Sequence, residues 1–227
     1  MSNLAVMPVV LPALAGIAGL FWWRCSSARR LSYALVGVVQ LALAVALLVA
    51  ARSDGPVVLG LGSWPVAVGI ALVIDRLSAI MLCLGAITSL ASVLYGYAQQ
   101  PVRLEHPLRL PLVQFLTAGI SLSFATADLF NLFVAFEVML IASYALLTLE
   151  ADDRDVKHAL PYLMVNLVGG GLFLAAAGLA YGLFGTLNFA GIAARAAEMG
   201  GDPRVFAWAV LLLVVFAVKA GVFPLYY

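Results

Sequence analysis

Seven runs of apolar residues, each about twenty long, follow one another between short polar breaks. That is the length an α-helix needs to cross the hydrocarbon core of a bilayer. The runs occupy 4–23, 31–51, 74–97, 108–126, 129–149, 159–184 and 205–226. They define an all-α integral membrane chain, with 1–227 forming a single transmembrane domain. Composition agrees, because 65% of the residues are hydrophobic and only 10% are charged. Soluble domains run nearer to about 45–50% apolar and 25% charged. Trp22, Trp23, Tyr97 and Tyr181 fall near run ends, where aromatic rings favour the membrane interface.

Basic residues set the expected orientation. Arg24, Arg29, Arg30, Arg103, Arg109, Arg154 and Lys157 lie in breaks on one side, and Arg52, Arg76, Arg195 and Arg204 on the other. The richer side is expected to be cytoplasmic, with the N-terminus outside. The first run has its positive charges after it, the reverse of a cleaved leader, and reads as a retained helix. A net charge of +1 gives no bias toward nucleic acid. Cys25 and Cys83 form no CxxC pair, and His106 and His158 lack metal-ligand spacing. No nucleophile–base set can be assembled, so the reading is a transporter part and not an enzyme, with no cofactor or metal.

Between the second and third runs, DGPVVLGLGSWP reads as a small extracytoplasmic hairpin. The GLG within it has no strand–helix context for nucleotide binding. Asp75–Arg76 marks the membrane edge or an ion entry point. The stretch 188–199 reads as a short interfacial amphipathic helix with Arg195 and Glu198 on its polar side.

The chemistry rests on two charges inside apolar runs. Glu137 lies about 12 Å in from Asp128 at 1.5 Å per residue. A carboxylate at that depth costs about 2.5–3.5 kcal/mol on insertion scales, so such a residue is ordinarily kept for ion or proton handling. Lys219 is the opposite charge, in the last run. Burial and mutual attraction push both groups' proton affinities in opposing directions, which suits loading and unloading of a proton. A static buried ion pair is the structural alternative. Gly221 and Pro224 follow Lys219 and predict a bend or break there. The glycines 169–171 are level with Glu137 across the short 150–158 loop; they allow close packing or leave room beside the carboxylate. Asn166, one turn nearer the cytoplasm, can bond a water or a carboxyl group. Thr117 and Ser121 share a helix face. These two, with Gln40, Ser123 and Tyr144, bond neighbouring helices or line a water file.

LFNLFVAFEVMLIASYALL around Glu137, then YLMVNLVGGGLFLAAAGLAYGLFGTLNFA and VKAGVFPLYY, resemble the antiporter-like family, as does DRLSAIML at 75–82. That family includes the D-type members of Mrp-type multisubunit Na⁺/H⁺ antiporters and the proton-pumping membrane subunits of NADH–quinone oxidoreductase. The resemblance implies that Glu137 and Lys219 serve in proton translocation. It implies a fold of about fourteen helices with inverted repeats, of which this chain supplies the first half. The chain stops within a KAGxxP motif that continues in the family, so it reads as truncated. The resemblance also implies other membrane subunits as partners, H⁺ with Na⁺ or K⁺ as cargo, and a bacterial plasma-membrane location. The alternatives are a pump subunit of a quinone-reducing or hydrogenase-type complex, and a non-transporting scaffold.

Overall fold

The computed structural model describes residues 2–22, 27–61, 69–102, 104–149 and 151–223. Trp23, Arg24, Cys25, Arg103, Glu150, Pro224 and the 62–68 tip of the hairpin lie outside the described residues, as does the side chain of Arg154. After a 3₁₀ turn at Ser2–Val6 come α1 (Met7–Phe21), α2 (Ser27–Ser53), β1 (Val57–Gly60), β2 (Ala71–Ile74), α3 (Arg76–Gln99) and α4 (Arg109–Ala125). Then follow α5 (Leu129–Thr148), α6 (Asp153–Phe184), α7 (Phe189–Glu198) and α8 (Pro203–Lys219). Among the described residues, five helices are long and apolar enough to cross a membrane, and α4 is a shorter apolar one.

Two compact units divide the chain. The first comprises Met1–Leu59, Leu72–Thr126 and Ala135–Glu150; the second comprises Gly60–Ala71, Ala127–Val134 and Ala151–Tyr227.

In the first unit α1 packs chiefly on α4, and α2 on α3. Without a hydrophobic drive between helices in lipid, close approach at small residues supplies the contact. Gly37 on α2 is one such point: a Cβ there would come 2.8 Å from Leu90 Cδ1 on α3. Tyr33, Val93 and Leu110 form a buried cluster joined by Ala15, Tyr97 and Val113. At one end of this unit, Glu105 is buried between two guanidinium groups. Arg30 Nε is 2.9 Å from Glu105 Oε2 and Arg109 Nη1 is 3.1 Å from Oε1. Arg30 also donates to the Gln100 carbonyl at 2.6 Å and stacks 4.9 Å over the Tyr97 ring. Arg29 is buried and donates to the Pro107 carbonyl at 2.9 Å. Three arginines that served as loop charges for orientation are therefore packing residues as well.

The hairpin has a second strand, β2, which lies beyond the DGPVVLGLGSWP stretch and overlaps the expected third run only at Ile74. The helix begins only at Arg76, because the Asp75 side chain caps it, accepting from Ser78 N–H at 2.7 Å. Asp75 thus ends the strand and starts the helix.

In the second unit, the segment before α5 is held by backbone pairing. Leu129 N–H donates to the Leu187 carbonyl and Phe189 N–H to the Ala127 carbonyl, both at 2.9 Å. Asp128 accepts from Asn131 N–H at 2.8 Å, capping α5. Asn188 caps α7 through Ala190 N–H at 3.1 Å and Gly191 N–H at 3.4 Å. α6 begins at Asp153, ahead of the expected 159, because the polar residues of the connecting loop continue the helix. α8 packs on α6 through edge-to-face Phe173–Phe216 and Phe184–Trp208 pairs. Trp208 Nε1 also donates to the Ala176 carbonyl at 2.9 Å.

Candidate functional site

Glu137 sits mid-way along α5, in the first unit, partly buried, with its Oε1 atom shut away from solvent. Its turn is pinned by α4. A Cβ at Gly119 would lie 2.7 Å from Met139 Cγ and 3.1 Å from both the Met139 nitrogen and the Ala135 oxygen. Only a glycine lets the two helices meet this closely, and the contact brackets Glu137 on both sides. Sequence reasoning missed Gly119; the signal was a lone glycine beside Ala118 within the small-residue stretch TAGIS.

Thr117 and Ser121 lie on α4, one turn apart, and both are buried. The Thr117 hydroxyl is 2.7 Å from the Ser89 hydroxyl on α3 and donates to its own Val113 carbonyl at 2.8 Å. Ser121 Oγ accepts from Gln40 Nε2 on α2 at 3.2 Å. These hydroxyls therefore join neighbouring helices. Gln40 also donates to the Pro8 carbonyl on α1 at 2.7 Å. Tyr144 is half-buried on α5, and its carbonyl accepts from the Thr148 hydroxyl at 2.9 Å.

Lys219 belongs to the second unit and is the last residue of α8. The expected break is a helix end. Val222 N–H donates to the Ala217 carbonyl at 2.9 Å and Gly221 N–H to the Val218 carbonyl at 3.2 Å. Gly221 takes a positive φ of 62°, completing a Schellman motif. The Lys219 stem passes over α6 at Gly169, where a Cβ would be 3.8 Å from Lys219 Cε and 3.1 Å from Val218 Cγ1. Gly169 thus serves close packing, whereas the position of a Cβ at Gly171 meets open space. Asn166 donates from its side-chain amide to the Tyr162 carbonyl of its own helix at 3.0 Å. Among the described residues no cluster of metal-ligating side chains occurs.

The described helices thus carry a carboxylate within α5 and an ammonium at the end of α8. Residues 126–227 match the family described as NADH:quinone oxidoreductase/Mrp antiporter, TM. The whole chain is 34% identical to the D-type subunit of the Na⁺/H⁺ antiporter of Alkalihalophilus pseudofirmus, covering 46% of that relative. Its fold is similar to a chain of the Mrp complex from a Dietzia species, at 30% identity and a TM-score of 0.85. That match covers 99% of this chain and 42% of the other. It is also similar to a chain of an archaeal membrane-bound sulfane sulfur reductase, at 26% identity and a TM-score of 0.87, covering 97% and 45%. Residues 126–227 thus resemble that family's model, and the chain as a whole is similar to D-type antiporter subunits. It spans about half the length of the curated relatives it matches.

Proposed function

We propose that this chain is the proton-handling part of a subunit in a multisubunit monovalent cation/proton antiporter. The observation that carries the reading is the match along its whole length to the D-type subunit of a Na⁺/H⁺ antiporter. Glu137 and Lys219 are the proton-transfer groups, exchanging H⁺ for Na⁺ or K⁺ alongside other membrane subunits. The chain lies in a bacterial plasma membrane with its N-terminus outside. The Gly119 contact holds the α5 turn that carries the carboxylate, and the Gly221 motif ends α8 at the ammonium. Thr117, Ser121, Asn166 and Tyr144 are accessory polar groups.

The test is Na⁺-driven ΔpH in everted vesicles carrying the full complex, with Glu137→Gln and Lys219→Ala against wild type. Loss of ΔpH in assembled complex supports the assignment. Unchanged exchange removes Glu137 and Lys219 from the path and leaves a scaffold. The similarity to a respiratory reductase chain favours a second reading, a redox-driven pump subunit. In that case an electron donor, and not a Na⁺ gradient, drives proton movement in the same vesicles.

A further inference from the structure

An amide in the membrane interior of the first unit is only half satisfied, and the cause can be traced to a proline. In a helix the Pro8 carbonyl is served by the N–H four residues on, but that residue is Pro12, which has none. Gln40 of α2 supplies the missing donor from outside the helix, its Nε2 lying 2.7 Å from the Pro8 oxygen. This contact fixes which way round the amide sits, because the opposite orientation would set two acceptors face to face. The carbonyl oxygen Oε1 is thereby turned away from Pro8. Gln40 is 4% exposed, and its Oε1 is buried with no hydrogen-bond donor among the described residues.

Beside it, Ser121 Oγ uses its lone pair to accept from Gln40 Nε2 at 3.2 Å. No acceptor for the Ser121 hydroxyl proton occurs among the described residues. An acceptor lacking a donor and a donor lacking an acceptor stand on either side of one amide nitrogen. Leaving a buried polar atom unpaired costs about 1–3 kcal/mol. One water satisfies both groups, donating to Gln40 Oε1 and accepting from Ser121 O–H.

We propose that α1, α2 and α4 form a binding site for a single exchangeable water, held by Gln40 Oε1 and the Ser121 hydroxyl.

The test is an experimental structure of the full-length protein in its native assembly, at a resolution where internal waters are visible. Density about 2.8 Å from both Gln40 Oε1 and Ser121 Oγ is the expected result. Ser121→Ala should abolish or strongly weaken that density while the Gln40–Pro8 contact persists. Gln40→Met should remove the density altogether. A direct protein or lipid donor on Oε1 overturns the proposal, as does a dry Oε1 in a map that shows waters elsewhere. Density unchanged by Ser121→Ala also overturns it, since the serine would then hold nothing.

Discussion

Gly119 on α4 touches the backbone of Met139 on α5, where an added Cβ would stand 3.1 Å from the Met139 nitrogen and 2.7 Å from its Cγ. The methionine side chain can yield, but the α5 backbone cannot without moving the turn that bears Glu137. Gly119→Val should therefore destabilise the protein by about 1–3 kcal/mol, the usual cost of overpacking. It should also lower Na⁺-driven ΔpH in assembled complex. Thermal unfolding and vesicle exchange measured on the same preparation check both halves.

Removing Glu105 strands two guanidinium groups. Its own side chain is 1% exposed, while those of Arg30 and Arg109 are 13% and 23% exposed. Stripping one partner from a fully buried pair costs about 3–5 kcal/mol. With the cations partly wet, Glu105→Gln should cost less, about 2 kcal/mol. A double-mutant cycle with Arg30→Gln should show coupling between the positions. Additive effects would mean that the ion pair contributes nothing.

At Gly221 the chain turns through φ 62°, a conformation that costs other L-residues about 1–2 kcal/mol. Gly221→Ala should fray the last turn of α8 and disturb Lys219. Gly221→Asn should disturb it less, because asparagine visits this region more readily. Exchange activity ranked Gly, then Asn, then Ala, at equal expression, is the expected order.

The start of α8 carries a pH effect outside the membrane. The Asp202 side chain accepts from Arg204 N–H and pairs with its guanidinium at 2.7 Å, which holds its carboxyl below the usual value of 3.8. A depressed carboxylate contributes stability above its unfolded pKa and loses it as pH falls through the folded value. The first turn of α8 should therefore show unchanged amide exchange protection near neutrality and loosen only in strong acid. Asp202→Ala should loosen it at every pH.

Among the described residues five helices are long and apolar enough to cross a membrane, and hydropathy marks them because lipid imposes one long apolar run per crossing. It did not reveal β2, since the short run ALVI carries no polar alternation; Asp75 is the visible stop, in its role as a cap. Glu137 and Lys219 are conspicuous in the sequence as charges inside apolar runs. Their supports are not, since Gly119 meets Met139 only after two helices have packed. The bond from Arg30 to Glu105 joins residues 75 apart in the chain, a pairing that no local pattern encodes. Gln40 was visible as a polar residue, but its purpose depends on a carbonyl of another helix.

That last relation ties together positions 12 and 40 through an oxygen that belongs to neither. Replacing Pro12 by alanine would restore an N–H to the first helix and relieve Gln40 of its duty to Pro8. A leucine at 40, costly beside Pro12, would then be tolerated. In lineages descended from this chain, the two positions should drift as a couple: glutamine kept where the proline is kept, and released where the proline is lost.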